Sequence, residues 1–313
     1  MIAINNNEIL LVRPRGFCAG VKRAIKTVEK ALELYRAPVY INHPIVHNEY
    51  VIADLEKKGA IFVDNLDNVP VNSIIIFSAH GVSPLIMEKV KIRKLKVINA
   101  TCPFVTKLHL KAKKYKDNNY KIVLIGHARH QEIKGIMGEA KMVLVENEND
   151  LDKINFDNND KIVSLTQTTF SIEKQNIIIK VLKKKYSNFI TPLENDVCKA
   201  TKLRQNSIKE ASKIMELMIV IGSNTSNNTK ELFSIAKKYC KNALLISSKN
   251  DIEKNEIAKY NKIGIASGAS TPESLVNEVV KKIKTYNDYK VNEMANESMD
   301  IEYSLPNELY NLK

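Results

Sequence analysis

The chain has 313 residues, room for two domains or three smaller ones, and its 44% hydrophobic and 27% charged residues are an ordinary globular balance. No apolar run approaches the ~18 residues of a membrane-spanning helix. The N-terminus MIAINNNEILLVRPRGF lacks the basic start and long apolar stretch of a secretion signal, so a cytosolic protein without a membrane partner is expected. Against 35 Asp and Glu, 48 Lys and Arg give +13, but the excess is lysine spread over stretches such as KKIKTYNDYK and VLKKKYSN. With 6% aromatics and no Trp, this predicts solvated faces and no nucleic-acid partner.

In chain order, short apolar runs alternate with amphipathic stretches, and each run ends in a polar loop. The first third holds ILLVRPRGFC, PVYINH, AIFVDN and SIIIFSAHG; the second holds KVINATC, KIVLIGH, MVLVENEN and KIVSLTQTT. The last repeats the order with FITPLENDVC, LMIVIGSNT, ALLISSKND and KIGIASGAS. Each third opens on a cysteine, and Cys18, Cys102 and Cys198 fall 84 and 96 residues apart, the length of one four-stranded α/β unit. Three diverged copies are therefore expected, over residues 1–96, 97–191 and 192–282, with a tail over 283–313 that carries one short extended piece and docks on the body.

Strands alternating with helices imply parallel sheets, right-handed crossovers and ligands at the carboxyl ends of the strands. The expected fold is α/β, with three pseudo-threefold-related units whose parallel four-stranded sheets surround a central metal group. Cys240, in FSIAKKYCKNA, stands outside the pattern and is expected to be structural. No CxxC pair supports a zinc ribbon or a thioredoxin-like site. Three converging thiolates leave two metal readings: zinc with a histidine as fourth ligand, or a cubane iron–sulfur cluster with three irons on thiolate and the fourth open. Three equivalent corners match three equivalent ligands, which favours the cubane. An open iron is both a Lewis acid and an electron relay, which admits a reductase or, as the alternative, an iron–sulfur hydratase or dehydratase.

The loops add His43 and His47 in INHPIVHN, His80 in SAHG, and His127, His130 and Glu132 in GHARHQE. Thr168 follows in TQTT, then Ser226, Asn227 and Asn228 in GSNTSNN and Ser270 in SGAS. Such neutral donors can cradle a diphosphate through short directed hydrogen bonds; neither GxxxxGK[ST] nor GxGxxG is present to bind a nucleotide. Glu132 is the obvious acid, although a solvated carboxylate at a helix start has the same signature. His43 and His127 read equally well as caps of strand ends, and the Ser, Thr and Asn residues as helix caps.

PRGFCAGVKRAI, IVHN, FSAHGVS, ATCPFVTK, IGHARHQE, TQTT, SGASTPESLV and the closing YSLPNEL together resemble the 4-hydroxy-3-methylbut-2-enyl diphosphate reductases, the LytB/IspH family, along essentially the whole chain. The resemblance implies one 4Fe-4S cluster on Cys18, Cys102 and Cys198 with one open iron. It implies removal of an allylic hydroxyl as water by two electrons and two protons, in the last step of the methylerythritol phosphate route to isoprenoids. In that family pattern Glu132 is the proton source, with Thr168 and His130 organising the hydroxyl and the proton path. The diphosphate lies among His47, His80, Ser226, Asn228 and Ser270, with Asn227 and His130 in reach, and reduced ferredoxin or flavodoxin delivers the electrons. The chain reads HQE where the family has HPE, and SNN where it has SSN.

Overall fold

The computed structural model describes residues 7–157, 159–191, 195–295 and 301–311; the PLE of FITPLENDVC and part of the tail lie outside them. The first stretch runs β1 (Glu8–Leu11), α1 (Ala19–Tyr35), β2 (Val39–Asn42), α2 (Glu49–Lys57), β3 (Ala60–Val63), β4 (Ile74–Phe77), α3 (Pro84–Ile92) and β5 (Lys96–Asn99). The second runs α4 (Pro103–Asp117), β6 (Tyr120–Ile125), α5 (Gln131–Met137), β7 (Met142–Val145), β8 (Lys161–Thr166), α6 (Ile172–Lys185) and β9 (Phe189–Ile190). The third runs α7 (Lys199–Ser212), β10 (Leu217–Ile221), α8 (Asn227–Tyr239), β11 (Asn242–Ile246), α9 (Lys254–Ile257), β12 (Lys262–Ser267), α10 (Glu273–Lys284), β13 (Lys290–Glu293) and α11 (Glu308–Asn311). No helix among the described residues is long and apolar enough to cross a membrane.

These strands form three parallel sheets, ordered β3-β2-β4-β5, β7-β6-β8-β9 and β11-β10-β12-β1-β13. The strand that leads into each cysteine is the fourth strand of the sheet built by the preceding copy. Thus β5 pairs with β4, β9 with β8, and β1 with β12. Four strands per sheet hold for two sheets, but the third has five. The extra strand is β13 from the tail, which pairs with β1 because that edge would otherwise present unpaired backbone groups.

The chain divides into two compact units. One comprises Met1–Cys18, His47–Glu49 and Lys199–Ile301; the other comprises Ala19–Val46, Tyr50–Cys198 and Glu302–Lys313. In the first, the inner strands β1, β10 and β12 are apolar on both faces, as parallel strands covered by helices must be, whereas the edge strand β13 is mostly exposed. Ile9, Leu11, Ile219, Ile221, Ile263 and Ile265 pack with Val276, Val279 and Ile283 of α10. Met218, Val220 and Ala266 pack instead with Ile208 and Ala211 of α7 and Leu232 and Ala236 of α8. Cys240 belongs to this second cluster as the buried residue that ends α8, and its thiol donates to the Met215 carbonyl (3.3 Å), a structural role.

The second unit repeats the plan twice. Val123, Ile125 and Ile162 pack with Ile178 and Leu182 of α6, whereas Ile122, Leu124, Val163 and Leu165 pack with Leu108 and Ala112 of α4 and Ile133 and Ile136 of α5. Ile75 and Phe77 pack with Val90 of α3. The alternation of side chains along each strand thus sorts one apolar run into two cores.

Candidate active site

Three equivalent backbone bonds fix the polar loops. The N–H just beyond β2, β6 and β10 (His43, Gly126, Gly222) donates to the last carbonyl of the neighbouring β3, β7 and β11 at 2.9, 3.0 and 2.9 Å. Four residues further on stand His47, His130 and Ser226. A second set fixes the cysteines, since the N–H groups of Cys102, Cys198 and Cys18 donate to Ala79, Thr168 and Ala269, each two residues past β4, β8 and β12 (3.0, 3.0 and 2.9 Å). Each cysteine therefore sits at a strand's carboxyl end and one residue before α4, α7 or α1, where the unpaired N–H groups of a helix start favour negative charge.

In the second unit, His130 caps α5, its Nδ1 accepting the Glu132 N–H at 3.2 Å, and its ring meets that of His80 edge-on with centroids 5.2 Å apart. The Nδ1 of His80 lies 3.3 Å from Ser78 Oγ. Glu132, on the first turn of α5, is 2% exposed. Its Oε1 accepts the Thr168 N–H at 2.6 Å, and its Oε2 lies 2.9 Å from Thr168 Oγ1. Burial pushes the Glu132 carboxyl up to about 7; the Thr168 bonds oppose the shift, and the Asp196 charge adds to it. The Thr168 carbonyl that takes the Cys198 N–H belongs to the same residue that holds the acid.

In the first unit, Ser226 caps α8 by accepting the Thr229 N–H (3.3 Å), and Asn228 Oδ1 accepts the Ala269 N–H (2.8 Å). Asn228 Nδ2 is buried without a protein partner, an orphaned donor that marks a place for an acceptor from outside the protein. Ser270 Oγ donates to the His47 carbonyl at 3.0 Å, and Asn48 Nδ2 donates back to the Ser270 carbonyl at 2.7 Å. Burial and the nearby Lys230 charge hold His47 below the usual imidazole range, so it is neutral at pH 7. Asn227 is half-buried at the first position of α8.

His43 and His127 are accounted for locally. Nδ1 of His43 lies 2.8 Å from Asp64, and the His127 ring stacks on Phe170 with centroids 5.1 Å apart. Asn48, Gln167 and Asp196 were not singled out from the sequence. Gln167 accepts the His127 N–H (3.0 Å) and Asp196 accepts that of Thr166 (3.0 Å). Asp196, the Asp of NDVC two residues before a ligand candidate, had the one readable signal.

The donor set fits an iron–sulfur group. Cys18, Cys102 and Cys198 are partly exposed and stand outside any disulfide, and Cys240 by contrast is buried. Beside Cys102, α1 carries Gly20, where a Cβ would stand 2.7 Å from the Cys102 Sγ, so glycine is what keeps the sulfur's surroundings open.

The family model described as LytB protein matches residues 9–284. The 4-hydroxy-3-methylbut-2-enyl diphosphate reductase of Histophilus somni is 42% identical over 307 residues, 96% of this chain and 98% of that protein. The reductase of the same name from Methylococcus capsulatus is 39% identical over 310 residues, covering 97% and 99%. Among solved structures, the E-1-hydroxy-2-methyl-but-2-enyl-4-diphosphate reductase of Plasmodium falciparum superposes with a TM-score of 0.94 at 38% identity, over 98% of each chain. A second structure, of an (E)-4-hydroxy-3-methyl-but-2-enyl diphosphate reductase, gives a TM-score of 0.65 at 29% identity, over 89% of this chain and 99% of that one. With the family model matching residues 9–284 and relatives near 40% identical over almost the whole chain, the chain belongs to the LytB family.

Proposed function

We propose that this protein is a cytosolic iron–sulfur reductase that converts 4-hydroxy-3-methylbut-2-enyl diphosphate into isopentenyl and dimethylallyl diphosphates, with Cys18, Cys102 and Cys198 holding one 4Fe-4S cluster among three pseudo-threefold-related units. The reaction consumes two electrons and two protons, breaks the allylic C–O bond and releases water. When bound, the cluster supplies the electrons one at a time, received from reduced ferredoxin or flavodoxin, and its open iron supplies a Lewis acid.

The observation that carries the reading is the buried Glu132–Thr168 pair. Because burial holds the carboxyl up to about 7, a large share of Glu132 carries a proton at neutral pH, where an ordinary carboxyl is ionised. The Thr168 N–H donates to Oε1 at 2.6 Å and the Thr168 hydroxyl donates to Oε2 at 2.9 Å, so Thr168 fixes the orientation of the carboxyl. The carboxyl so oriented gives up the proton that leaves as part of water, and the Thr168 hydroxyl beside it organises the substrate oxygen. His130 holds the start of α5, and with it the acid, by taking the Glu132 N–H. The diphosphate is bound by His47, His80, His130, Ser226, Asn227, Asn228 and Ser270. Ser226, Asn227, Asn228 and Ser270 are uncharged donors, and the orphaned Asn228 Nδ2 gains the partner it lacks.

Anaerobic purification followed by iron and sulfide analysis and a turnover assay tests this. A brown protein that forms both products only when dithionite or a reduced flavodoxin is supplied is expected, and Cys18→Ser, Cys102→Ser and Cys198→Ser should each lose the cluster while Cys240→Ser keeps it. Product formation without any reductant would establish the hydratase reading instead, and a colourless zinc protein would overturn both.

A further inference from the structure

Each helix that starts just after one cysteine sends a cation to the segment that precedes another. From α1, which follows Cys18, Arg23 donates through Nη1 to the carbonyl of Thr101 (3.1 Å), the residue before Cys102, and through Nη2 to Asn99 (3.4 Å). From α4, which follows Cys102, Lys111 Nζ stands 2.8 Å from Oδ1 of Asp196, two residues before Cys198. From α7, which follows Cys198, Arg204 donates to the carbonyls of Pro14 (2.8 Å) and Ser267 (3.0 Å) and, through Nη2, to that of Gly16 (2.7 Å), two residues before Cys18. Each contact lies within one of the two compact units, those of Arg23 and Lys111 in the second and those of Arg204 in the first. They run in one sense, from 18 to 102, from 102 to 198 and from 198 back to 18.

Ordinary surface ion pairs do not account for this pattern. Arg204 is 4% exposed and Asp196 is 8% exposed, so both have given up most of their hydration, which costs several kcal/mol unless their hydrogen bonds replace it. Arg204 bonds three carbonyls with one planar fork, a geometry that guanidinium provides and a lone ammonium does not. Gly16, whose φ of +71° puts it in the left-handed region, is part of the turn so held. Burial pulls the Arg23 guanidinium below its usual range, and the Cys102 charge opposes this, placing that cation in the field of a candidate ligand.

Three ligands from three loops bind one group only if all three loops are in place together, and any loop left free must be ordered at the cost of binding. We propose that Arg23, Lys111 and Arg204 are positioning residues that hold the three cysteine loops ready for the iron–sulfur group. This rests on the reading of those cysteines as its ligands.

The test uses the full-length protein, reconstituted anaerobically, and follows iron transfer to excess bathophenanthroline together with the unfolding midpoint of the metal-free chain. Arg23→Met, Lys111→Met and Arg204→Met should each release iron ~10-fold faster, the lower end of what outer partners of metal ligands typically contribute. Lys111→Arg, which keeps the charge of a single ion pair, should remain within about threefold of the parent, whereas Arg23→Lys and Arg204→Lys should release iron nearly as fast as their Met variants, because one ammonium does not reproduce the guanidinium fork. Arg93→Met is the control: Arg93 likewise donates to a loop carbonyl, that of Val69, but touches no cysteine segment, and it should release iron at the parental rate. Parental release from the Met variants overturns the proposal, as does release from Arg93→Met as fast as theirs. If Arg204→Met does not fold, Arg204→Ala together with Arg23→Met decides, on the same criterion. A parental chain that takes up no iron at all overturns the ligand reading itself, and that result is visible before any variant is compared.

Discussion

The start of α5 and the start of α8 occupy corresponding places in two copies of the repeat, and they differ where chemistry is needed. In both, the residue after the strand bonds the neighbouring strand's last carbonyl, a polar residue four positions on caps the helix, and the side chain two positions beyond that cap accepts an N–H from the loop after the strand's other sheet neighbour, β8 or β12. That last contact is Glu132 with Thr168 at 2.6 Å in one copy and Asn228 with Ala269 at 2.8 Å in the other. The copies therefore share a scaffold that buries one acceptor beside the backbone that holds a cysteine. A carboxyl with a hydroxyl neighbour makes that acceptor a proton source, whereas an amide beside a methyl group makes it a fixed neutral donor and acceptor. Under the proposed function, one shared geometry serves acid catalysis at Glu132 and anion binding at Asn228.

Removing the acid should give the largest effect. Glu132→Gln keeps the shape and the acceptor for the Thr168 N–H but has no proton to give, so turnover should fall ~10²–10⁴-fold, the usual contribution of a positioned acid. Iron content and substrate affinity should stay at parental levels. Single-turnover and steady-state kinetics on the reconstituted protein check this, and a variant with parental turnover would erase the contrast between the two copies.

The sequence and the physics of the two regions were legible to different degrees. Cys18, Cys102 and Cys198 could be read as equivalent because each ends an apolar run and opens an amphipathic one, a local pattern. The sheet that takes each cysteine-bearing strand could not, since pairing of β1 with β12 spans most of the chain and leaves no mark on the apolar run EILL. Glu132 was readable as an acid candidate from its place beside His130, but its raised carboxyl depends on the burial that folding imposes, aided by the Asp196 charge and opposed by the Thr168 bonds. Arg204 looked like any helical arginine because its partners are carbonyls, which a sequence does not display.

A second consequence of the contrast concerns stability. The Glu132 carboxyl is held up to about 7 in the folded chain against an ordinary value of 4.5, so the folded state keeps its proton more tightly than the unfolded state. The associated stability is fully present below about pH 4.5, declines as pH rises and the unfolded chain ionises first, and is gone above about pH 7. The loss is on the order of 3 kcal/mol by the usual conversion of a pKa shift. Denaturant unfolding of metal-free parent and Glu132→Gln at pH 5 and pH 8 isolates it: the parent should lose more stability than the variant over that interval. Equal losses would mean that burial does not tune this acid.

The smallest expected effect comes from reversing the substitution in the other copy. Asn228→Asp keeps an oxygen for the Ala269 N–H but replaces the buried, orphaned Nδ2 with a second oxygen, exchanging the donor proposed for diphosphate for an acceptor that repels it. No hydroxyl at position 269 is available to share a proton, so the carboxylate has only backbone to stabilise it. The KM for the substrate should rise ~10-fold, about 1.4 kcal/mol of lost binding, with kcat changed much less, because the acid Glu132 and its partner Thr168 are untouched. A fall in kcat with KM unchanged would move Asn228 out of anion binding and into the chemical step, and the division of labour between the two helix starts would have to be redrawn.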